Sequence, residues 1–590
     1  MRRQRMARVK VEPAGPIIEV RMGSNLARVL EEAGIPLATW CGHRGICGRC
    51  EVEIVSGAIS RPKPKEAFFQ QRRGWPSSHR LACLFSVEGD LVIRVPESSL
   101  MTEMPVLKAA LEIKHPIEPA VKRYVFSLPP INLKKPESTL GRLQKALHQP
   151  RLKASLRVLS NIGWLKQDRV EVQAAVYEDE EILALSPAAL PYPIVGLAVD
   201  LGTTTLVLEA LDLEDGRILA KEVAINPQHR FGADVLSRIA HASLGKKQRK
   251  ELQAALVEGL NQLIKKIMAQ LKVDSENILE VVLAGNSTMN HLLLGLPVDS
   301  LAQSPFATVF SSLPPLRAED IGLKVNPAAK VYLAPNLRSF IGGDISAGLM
   351  AANLFEAEGP FAFIDLGTNG EIVVKGEKRL VATSTAAGPA FEGGNLSCGL
   401  PASSGAIERV DWGENGFKIK TINDAEPRGI CGSGLIDLLS VLLRKGMIFA
   451  NGRLAMAKEK MAVVPGLFLT QEDIRQAQLA CAAIKTGFQL LLASLHLQPQ
   501  DLRAIYIAGA FGQELSVANS QAIGLIPRVS PERVFFLGNT SLAGARLLLL
   551  NRLARQRLLS RLERVEYVSL ALEKQFQNYF LENLKLGPWP

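Results

Sequence analysis

Residues 41–50 read CGHRGICGRC, with thiols at Cys41, Cys47 and Cys50, and a further thiol follows at Cys83. Thiolates suit soft metals and iron–sulfur clusters. Closed zinc sites usually pair two short-spaced ligand couples. A group of three with a remote fourth therefore favours a 2Fe-2S cluster held by Cys41, Cys47, Cys50 and Cys83. Gly42, Gly45 and Gly48 let such a loop wrap closely and aim amide N–H groups at bridging sulfides. The other cysteines, Cys398, Cys431 and Cys481, stand apart in apolar or glycine-rich surroundings and are expected to be small core residues.

A second chemistry is written twice. VDLGTTT places Asp200 at the end of an apolar strand, followed by Gly202, Thr203 and Thr204 in a tight turn. IDLGTNG repeats the pattern with Asp365, Gly367, Thr368 and Asn369. Backbone N–H groups and hydroxyls in such a turn donate to phosphate oxygens, while the carboxylate orients magnesium through its waters. One Asp-x-Gly-Thr is an ordinary hairpin signal, but a pair facing each other makes a phosphate site. AIYIAGAFG adds a third apolar strand running into Gly509 and Gly512.

These residues need several folding units to position them. A chain of 590 residues is too long for one core. Its 47% hydrophobic and 22% charged residues are those of a globular protein, and no run approaches the roughly 18 apolar residues of a membrane span. The start, MRRQRMARVK, leads into no continuous apolar segment, so no secretory signal is expected and the cytoplasm is the expected compartment. A net charge of +11 favours acidic partners. No nucleic-acid signature accompanies it, so neither nucleic acid nor membrane is an expected partner.

ARVKVEPAGPIIEVRM predicts two alternating strands around a turn, and NLARVLEEAGI a helix closed by Gly34. CEVEIVSG predicts a strand, and LACLFSVEGDLVIRVP two strands around Glu88-Gly89-Asp90. Residues 1–97 form this first domain, 98–108 a linker, and 109–190 a small α+β domain with a helix at TLGRLQKALH. From 191 to 590 long apolar strands alternate with long helices, which indicates an α/β architecture. In one of those helices Leu252, Leu256, Leu260, Leu263, Ile267 and Leu271 share a face. GGDISAGLMAANL is echoed by GNTSLAGARLLLL, as the first Asp-Leu-Gly-Thr is by the second, so two similar lobes are expected at about 191–355 and 356–590.

The cysteine spacing resembles that of plant-type ferredoxins with one extra residue in the first gap, closest to the adrenodoxin-like branch of the β-grasp ferredoxins. The two hairpins, the two small-residue helices and GAFG resemble the ASKHA superfamily, whose ribonuclease-H-like lobes bind ATP between them. That resemblance implies phosphate loops at Asp200, Gly202, Thr203 and Thr204 and at Asp365, Gly367, Thr368 and Asn369. It also implies an adenosine loop at Gly509–Gly512 and an acid, Asp344, that helps position the attacking water. Together the two ends resemble the reductive activators of corrinoid-dependent methyltransferases. INPQHRFGADVLSRI, AGNSTMNHLLLGL, AGPAFEGGNLSCG, with Gly388, and RGICGSGLIDLL carry this narrower likeness.

The family likeness implies a multidomain α+β and α/β chain: an N-terminal ferredoxin, a small middle domain and a two-lobed ASKHA ATPase. It implies ATP- and Mg2+-dependent reduction of cob(II)alamin to cob(I)alamin on a corrinoid protein, an upstream low-potential electron donor, and a possible homodimer. Activators of radical dehydratases and redox-linked kinases are the alternative readings, with a non-enzymatic carrier behind them. The chain departs from the family at His43, where relatives often carry glycine in the cluster loop, and it ends without a further cysteine-rich segment.

Overall fold

The computed structural model describes residues 5–589 except 36, 40–42, 44, 46–47, 101–114, 133, 135, 166–168, 191, 305, 415, 456–458 and 510–514. Cys41, Cys47 and Gly512 lie outside the described residues.

At the N-terminus, strands are ordered Ile17–Arg21, Met6–Glu12, Leu91–Arg94, Glu51–Gly57, His79–Leu81. Met6–Glu12 alternates strictly, turning Ala7, Val9 and Val11 onto helix Leu26–Glu32. Asn25 caps that helix, its side chain accepting from the Arg28 N–H. One expected strand is absent. Within LACLFSV only Leu81 belongs to a strand; Leu84 and Phe85 donate back to the Leu81 carbonyl in a turn, and Asn25 Nδ2 donates to the Cys83 carbonyl at 2.8 Å. Leu81, Ala82, Cys83 and Phe85 are all buried. Such a run has no outward face to offer a half-exposed strand, so the chain folds inward on itself. Helix Pro64–Arg73 is tied to strand His79–Leu81 by a buried bidentate pair, Arg80 to Glu66, at 2.8 and 2.6 Å.

A separate four-stranded sheet, Val121–Leu128, Val170–Tyr177, Glu181–Pro187 and Lys153–Ala154, packs on helix Thr139–Ala146 around Leu128, Leu143 and Val172.

Two six-stranded sheets follow with one plan. In the first, Val195–Leu201 and Thr205–Asp212 form an antiparallel hairpin, and Val195–Leu201 also runs parallel to Ile278–Gly285. In the second, Phe361–Leu366 and Gly370–Lys375 form the hairpin, and Phe361–Leu366 runs parallel to Ala504–Ala508. Long helices Lys246–Leu271 and Gln471–Ser494 make the crossovers. Strand Val565–Tyr567 pairs with Leu380–Thr385, so the chain's end completes the second sheet. Cys398, Cys431 and Cys481 are buried in apolar cores.

The two small-residue helices, Gly343–Ala351 and Thr540–Leu550, cross each other in contact. A Cβ on Gly348 would lie 2.7 Å from Thr540 Oγ1, and one on Gly544 would lie 2.4 Å from the Ala347 carbonyl carbon. Only glycine allows that approach. Leu542, Leu548 and Leu549 of the later helix share a core with Ala198 and Val207, so a segment from the end of the chain lies on the first sheet. Helix Arg552–Leu562 continues there, with Arg555 Nη2 2.8 Å from Glu280 Oε1 and both side chains buried. Arg555→Met would strand the Glu280 carboxylate, and an expected loss of about 3–5 kcal/mol is measurable by denaturant unfolding. Glu280→Gln in the Arg555→Met background should recover part of it. Among the described residues no helix is long and apolar enough to cross a membrane.

Candidate functional site: a carboxylate-lined cleft between two hairpin turns

The hairpin turns of the two large sheets face each other across an open cleft of about 800 Å³ that includes the solvent at its mouth. Asp200, Gly202, Thr203 and Thr204 line one side, and Asp365, Gly367, Thr368 and Asn369 the other, with Asp344 and Gly509 between them. The two strands that end in these turns hold the same inner place, third of six, in their sheets, each flanked by its hairpin partner and by a parallel strand. Gly388 does not line the cleft. It opens the turn Pro389–Glu392, which carries the Glu392 side chain into it.

Sequence reasoning missed several residues here. Asn539 Nδ2 and Ser541 Oγ donate to Asp200 at 2.7 and 2.9 Å, each holding one carboxylate oxygen. Both belong to GNTSLAG, the echo already noted as a repeat, so the signal was present without its role. Glu392 Oε2 accepts from Thr368 Oγ1 at 2.6 Å and Thr204 Oγ1 at 3.3 Å, joining the two turns. Asn286 Nδ2 donates to Thr203 Oγ1 at 3.0 Å. Behind the first turn, fully buried Arg238 donates to the Thr203 and Gly232 carbonyls at 2.7 and 2.9 Å and to Gln228 at 3.2 Å. Burial pushes its guanidinium down to about 9. Asn226 and Arg238 give INPQHRFGADVLSRI a physical role: Asn226 donates to the Gly202 carbonyl from its side chain and to the Thr204 carbonyl from its backbone, at 2.9 Å each.

Five carboxylates line the cleft, Asp200, Asp344, Asp365, Glu371 and Glu392, and no lysine or arginine does among the described residues. Burial, then the charges of Asp344, Asp200 and Glu392, push Asp365 up to about 8. Asp344 rises to about 7 through burial and the Asp200 charge, against the Ile345 N–H that its Oδ1 accepts at 2.8 Å. It sits in the first turn of helix Gly343–Ala351, and Gly342 is the cap. Burial raises Asp200, Glu371 and Glu392 too.

An acid whose pKa is raised on folding keeps its proton in the native state after the unfolded chain has lost it, so stability falls as pH rises between the two values. Thermal unfolding of the nucleotide-free protein should therefore shift down in temperature from pH 5 towards pH 8, the window set by Asp344 and Asp365. Asp365→Asn should flatten that slope. Among the described residues no three His, Cys, Asp or Glu side chains are grouped so as to hold a metal ion by themselves. A divalent cation fits as one held partly by phosphate oxygens and water, the habit of Mg2+, and its charge would relieve the crowding of the carboxylates.

Just outside strands Glu51–Gly57 and His79–Leu81, Cys50 and Cys83 lie side by side and buried, the Cys83 amide nitrogen 3.5 Å from Cys50 Sγ. An amide directed at a thiolate suits a cluster ligand pair. Gly45 and Gly48 have φ of +66° and +63°, which lets the loop wrap tightly there.

Family models match in order along the chain: a 2Fe-2S iron–sulfur cluster binding domain at 9–88, the RACo linker region at 110–189, the RACo middle region at 195–357 and the C-terminal domain of RACo, the ASKHA domain, at 360–588. The chain is 30% identical to the corrinoid activation enzyme RamQ of Eubacterium limosum, over 97% of each protein. It belongs to the RACo-type corrinoid activators. A [Co(II) methylated amine-specific corrinoid protein] reductase of Methanosarcina barkeri is 25% identical, over 65% of this chain and 76% of that one. Among solved structures, a reductive activator for corrinoid, iron–sulfur protein superposes with a TM-score of 0.74 at 30% identity, covering 98% of both chains. As in the family models, this activator joins a ferredoxin-type domain to a C-terminal ASKHA domain in a multidomain α+β chain.

Proposed function

We propose that this activator returns a corrinoid protein to its reduced state by passing one electron from a 2Fe-2S cluster on Cys41, Cys47, Cys50 and Cys83 to cob(II)alamin. ATP binding and hydrolysis between the Asp200 and Asp365 turns supplies the free energy. The names of its relatives, a corrinoid activation enzyme and a corrinoid protein reductase, support the substrate class. The observation that carries the ATP half is the cleft itself. Two turns from opposite sheets present threonine hydroxyls and backbone to one space, and among the described residues five carboxylates line it with no lysine or arginine in the lining.

When bound, the cluster supplies single electrons. The chain's residues do the rest. Thr203, Thr204, Thr368 and Asn369 would hold phosphate oxygens, and Asp200, fixed by Asn539 and Ser541, would supply the charge that orients Mg2+. With a raised pKa, Asp344 or Asp365 accepts a proton from attacking water near neutral pH. The free energy is needed because each 59 mV of unfavourable one-electron difference lowers the equilibrium constant tenfold. Hydrolysis acts only by favouring one arrangement of the lobes, and thereby of the partner, over another.

The test is anaerobic optical spectroscopy of a corrinoid protein mixed with the reduced activator, with and without Mg2+ and ATP. Cob(I)alamin is expected only with ATP. A reduced cluster that leaves cob(II)alamin untouched while ATP is spent on small hydroxyl substrates would replace this reading with a redox-linked kinase.

A further inference from the structure

The N-terminal domain stands on both lobes of the cleft, and each foot rests on a segment hydrogen-bonded to a phosphate turn. The first foot is Glu31, at the end of helix Leu26–Glu32. Its carboxylate accepts from Thr39 Oγ1 at 2.8 Å and faces His43 Nε2 at 3.1 Å and His229 Nε2 at 3.8 Å. Burial alone would raise this carboxyl, but the two imidazoles outweigh burial and hold it at about 2, an anion. His229 belongs to the first lobe. Its Nδ1 meets the Asn226 carbonyl at 3.1 Å, and Asn226 is the residue that grips the carbonyls of Gly202 and Thr204.

Arg49, in the cysteine loop, is the second foot. Its Nη2 donates to the Gly399 and Arg428 carbonyls of the second lobe at 3.0 and 3.1 Å. Gly399 lies against Gly393, where a Cβ would come within 2.2 Å of the Gly393 carbonyl oxygen. Gly393 follows directly on Glu392, whose carboxylate occupies both threonine hydroxyls of the opposed turns. His43 and Arg49, both among the described residues, belong to the segment that carries the cluster cysteines.

Phosphate oxygens need the Thr204 and Thr368 hydroxyls that Glu392 now takes, and two anions do not share one donor pair. We propose that the Glu31–His229 and Arg49–Gly399/Arg428 contacts latch the cluster-bearing domain across the cleft. A nucleoside triphosphate then opens the latch by displacing Glu392, freeing the cluster-bearing domain to meet an external electron acceptor. This rests on the reading of the cleft as an ATP site. Linkage makes the effect reciprocal: removing a foot strengthens nucleotide binding by the factor by which nucleotide weakens docking.

The test uses the full-length, cluster-loaded protein, its cluster checked by visible absorption. The radius of gyration from small-angle X-ray scattering is measured with and without Mg2+ and a non-hydrolysable ATP analogue, and analogue affinity by calorimetry. The wild type is expected to expand when the analogue binds. Arg49→Gln and His229→Gln should be expanded without it and should bind it at least about fivefold more tightly. His229 is remote in sequence from the cysteine loop, so its variant carries the test alone if Arg49→Gln loses the cluster. Analogue binding with no change of radius, or compact variants of wild-type affinity, would overturn the latch alone. Absence of analogue binding in every protein would overturn the ATP reading together with it.

Discussion

Asp200→Asn is expected to lower ATP-dependent cob(I)alamin formation and partner-stimulated ATP hydrolysis by about 10²–10³-fold, the usual cost of removing one electrostatic stabiliser from an active site. Both oxygens of Asp200 are engaged, one by Asn539 Nδ2 and one by Ser541 Oγ. Its position is therefore imposed by the later helix before any cation arrives. The asparagine keeps the shape and loses the charge that orients Mg2+. Because burial pushes the Asp200 pKa up, the charge is a burden to the empty protein, and the variant should unfold at the same temperature or higher. A fall in activity with unchanged or raised stability separates a charge requirement from a packing defect. An active Asp200→Asn enzyme would remove Asp200 from the catalytic scheme, and an inactive one that unfolds early would make its role structural.

Cys83→Ser should abolish the visible absorption of the cluster and bring electron transfer to the corrinoid protein down to background, while ATP hydrolysis survives. Volume is nearly conserved, and the turn that carries residue 83 is held independently by Asn25 Nδ2 on its carbonyl. The N-terminal sheet has its own core, with Val9, Leu30, Val52 and Ile93 fully buried, apart from those of the two lobes. Loss of the cluster therefore need not unfold the cleft. Retained electron transfer would overturn the ligand assignment. If basal ATP hydrolysis rises when the cluster is lost, that would agree with a domain that restrains the lobes when docked.

Local chemistry accounts for what was legible in the sequence. Alternation in ARVKVE and the helical spacing of NLARVLEEAGI, closed by Gly34, are local signals that need no distant partner, and strand Met6–Glu12 and helix Leu26–Glu32 appear as expected. The strand expected at LACLFSV failed because a continuous apolar run does not tell a buried strand from a buried turn. The two Asp-Leu-Gly-Thr hairpins were legible individually because a strand, a tight turn and a strand form one local unit. Their repetition implied two lobes.

What the sequence by itself determined was therefore a set of local units and their chemical kinds: a thiolate loop, two phosphate-type turns, and two small-residue helices that had to pack closely on something. Only the tertiary structure decided what those units meet. Gly348 and Gly544 bring the two helices into backbone contact, and that crossing places Asn539 and Ser541, from the end of the chain, on Asp200. It also sets Glu392 between hydroxyls of opposite turns and Glu31 and Arg49 on opposite lobes. Partners hundreds of residues apart leave no periodicity in a single chain. Such contacts are chosen by the burial of whole helices and sheets, which a local pattern cannot register.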